Sequence, residues 1–184
     1  MNADGTHARQ LTQLDLPGQG FDRAPQFSPD GRRLVFQRDN VRDAEPVDGS
    51  ALVVLDLKTR VEHRITPYAL DAGDTPDWSP GGQRILFHDN ESGAPDVSAN
   101  LYTVRPDGTG LHQLTFENGG TVYYLGSSYS PDGRYITAGR QPETGGTNAD
   151  VLVMRSDGTH IRHVTRTVLY DSYPDWGPRV HNHH

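Results

Sequence analysis

Three aspartates recur at matching places in the chain, and carboxylates in that arrangement could bind a cation. Asp22, Asp74 and Asp171 each stand four or five residues before an aromatic residue of a repeated motif. Calcium takes six to eight oxygen ligands, which carboxylates from separate repeats and backbone carbonyls can supply. One interpretation is therefore a calcium site formed by these three residues. The other is that the side chains cap turns or accept backbone hydrogen bonds, in which case no cofactor is expected.

Residues suited to catalysis are few in this sequence. It contains no Gly-x-Ser-x-Gly, His-Glu-x-x-His or phosphate-loop motif, and it has no cysteine. The densest polar cluster runs from His88 to Glu91 and includes Asp89. Because adjacent strand residues point to opposite faces, a His-Asp neighbour pair is weak evidence for acid–base chemistry. The formal net charge of −7 argues against a nucleic-acid partner. The sequence therefore predicts no catalytic residue.

Two motifs repeat along the chain and indicate the elements that position these residues. The first has an aromatic residue before Ser-Pro or Gly-Pro, at Phe27, Trp78, Tyr129 and Trp176. The second ends in threonine and occurs at 9–12, 63–66, 112–115 and 162–165. Two independent motifs with a common spacing of about 50 residues identify structural repeats. We expect the four aromatic side chains to lie in the core. Polar residues directly precede them, and we interpret these as repeat consensus: Gln26, Asp77, Ser128 and Asp175.

Each repeat holds four short strand candidates rich in Val, Ile, Leu and aromatic residues. Asp-Gly pairs such as Asp30-Gly31 suit tight hairpins, and no segment keeps a helical 3.6-residue apolar period. The prediction is an all-β fold, a β-propeller of four-stranded antiparallel blades whose strands are lettered a to d from the axis outward. The three full blades span about 24–66, 75–115 and 127–165, with a leading strand d at 7–12 and a trailing strand a at 173–177.

The Pro-x-aromatic-Ser-Pro-Asp-Gly motif, followed by an apolar strand, resembles the repeat of TolB-like β-propellers. The same repeat occurs in the propeller domains of prolyl-oligopeptidase-type peptidases. The resemblance covers about residues 2–178 and implies one propeller domain over 1–180, with a tail at 181–184. It also implies a periplasmic or secreted protein that binds protein partners through the propeller. The first 13 residues lack the apolar core of a signal peptide, so the compartment is left open.

The long connections of such blades concentrate acidic residues. Those joining strands d to a and b to c hold 15 of the 24 acids but only five of the 17 Lys and Arg residues. The d–a and the b–c connections are expected on the same face of the propeller, and loops on a rigid scaffold usually bind ligands. The acids could also serve solubility alone. Binding candidates on this face include, besides the three aspartates above, Asp71, Asp89, Glu91, Tyr123, Tyr124 and Tyr170, since tyrosines suit protein recognition or else pack the loops.

Three readings of the function follow from these features. The first is a non-enzymatic scaffold that binds a protein or peptide partner through the acidic face. The second is a propeller-fold enzyme, a lyase or hydrolase, with a metal or carboxylate site at the channel mouth. The third is a structural propeller fragment without a ligand. Closed propellers have four to eight blades, so three blades form either part of a longer propeller or a half that self-associates as a dimer. The sequence has no run of 18 apolar residues, so no membrane span is predicted.

Overall fold

The computed structural model describes residues 4–13, 20–40, 49–73, 75–89, 99–117, 122–142, 148–167 and 169–177. Within them, three antiparallel four-stranded sheets form, one for each predicted repeat. Blade 1 comprises β1 (Asp22–Phe27), β2 (Arg33–Asn40), β3 (Gly49–Asp56) and β4 (Glu62–Arg64). Blade 2 comprises β5 (Asp77–Trp78), β6 (Ile85–His88), β7 (Leu101–Val104) and β8 (His112–Gln113). Blade 3 comprises β9 (Val122–Tyr129), β10 (Tyr135–Pro142), β11 (Asp150–Arg155) and β12 (Arg162–His163). A 3-10 turn at Tyr68–Leu70 follows β4. The predicted all-β propeller blades are confirmed.

Hydrogen bonds explain why both motifs recur. The serine before each a–b hairpin accepts a hydrogen bond at 2.9 Å from the backbone N–H five residues later, in the pairs Ser28–Arg33, Ser79–Arg84 and Ser130–Tyr135. The threonine that ends the second motif accepts a hydrogen bond from a backbone N–H in the first half of strand c, in the pairs Thr66–Leu52, Thr115–Leu101 and Thr165–Val151. Each motif thus supplies a hydroxyl acceptor for a backbone N–H group near a strand boundary, where the sheet provides no carbonyl partner.

The core lies between neighbouring blades. Between blades 1 and 2, Trp78 packs in a cluster that includes Val35 and Ile65. Between blades 2 and 3, Tyr129 packs with residues that include Leu114. Trp78 and Tyr129 are only 5% and 8% exposed. In blades 2 and 3 the aromatic residue of strand a is therefore buried against the preceding blade.

The expectation that all four motif aromatics are buried is wrong for Phe27, which is 64% exposed. The described residues provide no complete blade before blade 1, so the surface that buries Trp78 has no counterpart there. Trp176 is half-buried, and its indole N–H donates to the carbonyl of Ser128 at 3.3 Å. Trp78 donates in the same way to the carbonyl of Gln26 at 3.2 Å. Trp176 therefore occupies the position of a fourth strand a, next to blade 3.

The predicted terminal strands do not form. Residues 7–12 and 173–177 are described, and neither range contains a strand. A strand needs a hydrogen-bonded neighbour, and the described residues supply no strand c beside the first segment and no strand b beside the second. Leu11 nevertheless packs against the outer core of blade 1. The two segments keep the packing positions of neighbouring blades without their sheet hydrogen bonds.

The blades converge at their first strands. Strand β5 contacts both β1 and β9, so these three strands lie nearest the propeller axis. None of the described segments forms a helix that is long and apolar enough to cross a membrane.

Candidate functional site

The ends of the long connections lie on one side of the blades, which we call the long-loop face. Asp71, in the d–a connection after blade 1, accepts hydrogen bonds at 2.8 and 2.9 Å from the backbone and side chain of Ser50, at the start of strand c. Its neighbour Ala72 bridges to Asp89, at the end of strand b of blade 2. The backbone N–H of Asp171 donates to Ala149, just before β11, at 2.9 Å. The d–a connections thus meet the b–c ends, as expected.

Asp22 is held by an arginine. Both oxygens of its carboxylate accept hydrogen bonds from Arg38, at 2.7 and 2.8 Å. The same guanidinium donates to Glu62 at 2.6 Å, so one arginine joins strands β1, β2 and β4. The hydrogen bonds that Arg38 donates to Asp22 raise the pKa of Arg38 above its ordinary value. A bidentate ion pair already balances the charge of Asp22, and this pair competes with metal coordination.

The calcium set stays a prediction. Asp74 lies outside the described residues, and the Asp171 carboxylate accepts a hydrogen bond from the Thr167 hydroxyl at 3.1 Å. Within the part of the chain that the structure describes, no three His, Asp or Glu side chains come together as metal ligands.

Asp89 occupies the position that arginine holds in the other two blades, Arg38 in blade 1 and Arg140 in blade 3. Its carboxylate accepts the backbone N–H of Asn100. Burial, together with the nearby charge of Asp71, raises the pKa of Asp89 to about 6. Among the described residues, Asp89 of blade 2 forms no ion pair, whereas Arg38 and Arg140 at the equivalent positions of blades 1 and 3 are each paired with an acid. Glu91, two residues on, lies outside the described residues.

The predicted tyrosines differ in accessibility. Tyr124 is buried, and its hydroxyl donates to Glu117 at 2.8 Å. Glu117 is also clamped by two hydrogen bonds of 2.8 Å from Arg140, so Tyr124 packs the loop base. Tyr123 is half-buried. Tyr170 is 49% exposed and donates its hydroxyl to Gln141 at 3.2 Å, which leaves its ring available on the long-loop face.

A cleft at the axis brings together polar residues that the sequence analysis interpreted as repeat consensus and not as a site. This axial cleft has a volume of about 260 Å³ and is lined by Gln26, Thr75, Pro76, Asp77, Gly126, Ser127, Ser128, Tyr173, Pro174 and Asp175. These residues belong to the first strands of the three blades, to the two residues just before β5, or to the segment after blade 3, so the cleft lies along the axis. The equivalence of Gln26, Asp77, Ser128 and Asp175 along the repeats was the signal for this site, because equivalent residues of strand a converge on the axis.

Two carboxylates, those of Asp77 and Asp175, line this cleft and differ in burial and in hydrogen bonding. One Asp77 oxygen accepts the backbone N–H of Tyr129 at 2.7 Å. Burial, together with the nearby charge of Asp175, raises the pKa of Asp77 to about 6. Asp175 accepts a long hydrogen bond of 3.4 Å from the Ser128 hydroxyl. Ser127 is 6% exposed, and its hydroxyl has no hydrogen-bond partner among the described residues.

The chemistry of the axial cleft favours binding over catalysis. The half-buried carboxylate of Asp77 and the exposed carboxylate of Asp175 together attract a cationic group, since such a group relieves the repulsion between the two acids. The hydroxyls of Ser127 and Ser128 add hydrogen-bonding capacity beside them. A volume of about 260 Å³ holds one or two side chains of a ligand rather than a whole substrate.

Comparison with known proteins places the chain among propellers. The family model described as the TolB beta propeller domain matches residues 8–181. The chain is 25% identical to TolB from Acinetobacter baumannii, with a TM-score of 0.59, over 81% of this chain and 33% of that one. It is 22% identical to a putative TolB from Agrobacterium tumefaciens, with a TM-score of 0.60, over 84% of this chain and 51% of that one.

A third solved structure shows that the same fold serves enzymes. An oligogalacturonate lyase in complex with manganese is 17% identical, with a TM-score of 0.63, over 82% of this chain and 43% of that one. At this identity the likeness concerns the fold alone. The chain spans between a third and about half of the length of the three propellers.

Proposed function

Since the chain belongs to the TolB beta propeller domain family, we propose that it is a non-enzymatic scaffold that binds a protein or peptide partner. The partner is basic, and it contacts the long-loop face and inserts a cationic side chain into the axial cleft. The observation that carries this proposal is the convergence of Asp77 and Asp175 beside the buried, unpartnered hydroxyl of Ser127. A lysine or arginine side chain would satisfy all three groups.

The surroundings of the cleft support the same kind of partner. Asp89 and Asp71 add two more acids to the long-loop face, and burial keeps Asp89 from being fully hydrated. Tyr170 offers an exposed aromatic ring on that face. Acids with an aromatic neighbour suit a basic peptide, because the acids steer its approach and the ring adds contact area.

Peptide selection tests this proposal. The intact chain is immobilised and used to select binders from a random peptide library. We expect the selected peptides to be enriched in Lys and Arg. Counter-selection uses the double variant Asp77→Asn, Asp175→Asn, which removes the charge and keeps the side-chain shape. A set of selected peptides without basic residues, or one that the double variant enriches equally, would contradict the proposal.

We further propose that two chains associate through their terminal blades. At one end Phe21 and Phe27 are 63% and 64% exposed, and at the other Val164, Leu169 and Tyr173 are 55%, 66% and 61% exposed. Val164 corresponds to Ile65 and Leu114, which the next blade buries. Unpartnered apolar blade faces favour association, and two chains would supply six blades.

Light scattering tests the association. A dimer mass, about twice that of one chain, is expected, and Val164→Asp should shift the population to monomer. Val61→Asp is the matched control, because Val61 is 63% exposed but lies at a c–d turn of blade 1. A monodisperse monomer with a cooperative melt would exclude the dimer, while equal effects of the two variants would exclude this interface.

The alternative function is a propeller enzyme. The specific observation in its favour is the shared fold with an oligogalacturonate lyase bound to manganese. Release of new reducing or amino ends from polysaccharide or peptide mixtures, sensitive to Asp77→Asn, would support the enzyme and contradict the scaffold.

A further inference from the structure

A second cavity lies between blades 2 and 3, among the tight turns and away from the axial cleft. Its volume is about 460 Å³, and its walls include Tyr129, Leu114, Arg84, His112 and Asp132. We propose that this cavity, the inter-blade cavity, binds a small planar aromatic molecule of about the size of indole. The volume falls within the range of pockets that bind small molecules.

The preceding junction shows what such a space accommodates. Between blades 1 and 2 the equivalent of Tyr129 is Trp78, which is only 5% exposed. The guanidinium carbon of Arg33 stands 5.0 Å from the centre of that indole. Across the same junction, a ring nitrogen of His63 lies 3.2 Å from the carbonyl of Asp107. An indole covered by an arginine thus fills this junction, and a histidine of blade 1 contacts the backbone of blade 2.

Three differences open the junction between blades 2 and 3. Tyrosine replaces the larger tryptophan at Tyr129. Arg84, the equivalent of Arg33, donates instead to the carbonyl of Gly110 at 2.7 Å. The imidazole of His112, the equivalent of His63, has no hydrogen-bond partner among the residues that the structure describes. The groups that close one junction therefore leave the other open.

The cavity offers the contacts that an aromatic ligand needs. The ring of Tyr129 and the side chain of Leu114 form apolar walls. Arg84 lies at the wall, where a guanidinium can stack on an aromatic ring as Arg33 stacks on Trp78. His112 can accept a hydrogen bond from an N–H or O–H group on the ligand edge. An aromatic ring that carries one hydrogen-bond donor matches this set.

Indole itself is the probe for this site. Titration calorimetry of the intact chain with indole is expected to give one saturable site, with a Kd of about 0.1–1 mM from the usual affinity per atom of small ligands. In NMR spectra, indole should shift the amides of Gly133 and Ser156, which line the cavity. The amide of Gly31, the blade 1 equivalent of Gly133, should not move.

Substitutions then locate the site. Tyr129→Trp puts the larger ring of Trp78 at the equivalent place in the wall, where it takes space from the ligand, and should weaken indole binding at least tenfold. Phe27→Trp makes the same enlargement at an exposed equivalent position and should leave binding unchanged. If Tyr129→Trp fails to fold, Arg84→Met removes the stacking cation and should weaken binding several-fold. Absence of saturable binding, equal binding by Tyr129→Trp, or amide shifts confined to the face around Phe27 would each overturn the proposal.

Discussion

Truncation of Trp78 tests the inter-blade packing most sharply. Trp78→Ala removes a side chain that is 5% exposed, together with its hydrogen bond to Gln26 and its contact with Arg33. Large-to-small changes at buried tryptophans cost about 3–5 kcal/mol, and that total includes the lost hydrogen bond. We therefore expect the free energy of unfolding to fall by about 4 kcal/mol. Urea denaturation followed by far-UV circular dichroism measures this loss.

The matched control is Phe27→Ala, at the equivalent position of blade 1. Phe27 is 64% exposed, so its truncation should cost less than about 1 kcal/mol at concentrations where the chain is monomeric. The difference between the two variants measures what the preceding blade contributes. Equal losses, or a loss below about 1 kcal/mol for Trp78→Ala, would show that strand a aromatics do not pack across blades.

Three further predictions concern charges. Arg38→Met breaks the Asp22 and Glu62 pairs and should cost about 1–3 kcal/mol in urea melts, whereas Arg23→Met, in a more exposed pair with Asp39, should cost below about 1 kcal/mol. The pKa of Asp77 is about 6 in the folded chain, against an ordinary value of 3.8. The folded state therefore favours the protonated carboxyl, and this contribution to stability is present at low pH and lost as pH rises from about 4 through 6. In pH-dependent melts, Asp77→Asn should remove that part of the decline, and an unchanged profile would contradict the burial of the carboxyl. Charge reversal at Asp71, Asp74 and Asp89 should weaken the binding of a selected basic peptide, measured by fluorescence polarisation, and added salt should weaken it too. Charge reversals at Asp30, Asp107 and Asp132 should leave that binding unchanged. The opposite ranking would place the partner on the tight-turn face.

The repeats made the blades predictable, because each motif satisfies backbone groups at a fixed strand boundary. The exposure of Phe27 was not predictable in the same way, since burial of a strand a aromatic depends on the blade before it. The pairing of Asp22 with Arg38 follows from the β1–β2 register, in which the two residues are directly opposite. The equivalence of Asp22, Asp74 and Asp171 along the repeats carries no information about Arg38, because that arginine lies on the neighbouring strand.

The axial cleft depends on curvature, which no motif encodes. Asp77 and Asp175 are 98 positions apart in the chain, and their common place in the repeat indicates only that both lie near the axis. Whether they meet is decided by the angle between successive blades, which the inter-blade core sets. Raised pKa values at Asp77 and Asp89 likewise arise from burial that only the assembled blades provide.

The central claim is that a basic partner binds where Asp77 and Asp175 converge. The most direct measurement is the Kd of a selected basic peptide at neutral pH, for the wild-type chain and for the double variant Asp77→Asn, Asp175→Asn. The control pair Asp30→Asn, Asp107→Asn removes two charges from tight turns and keeps oxygens that can accept the turn hydrogen bonds. We expect the axial pair to weaken binding by about 100-fold, as loss of a desolvated charge contact does, and the control pair to change it less than about threefold. Equal Kd values for wild type and the axial double variant would contradict the account.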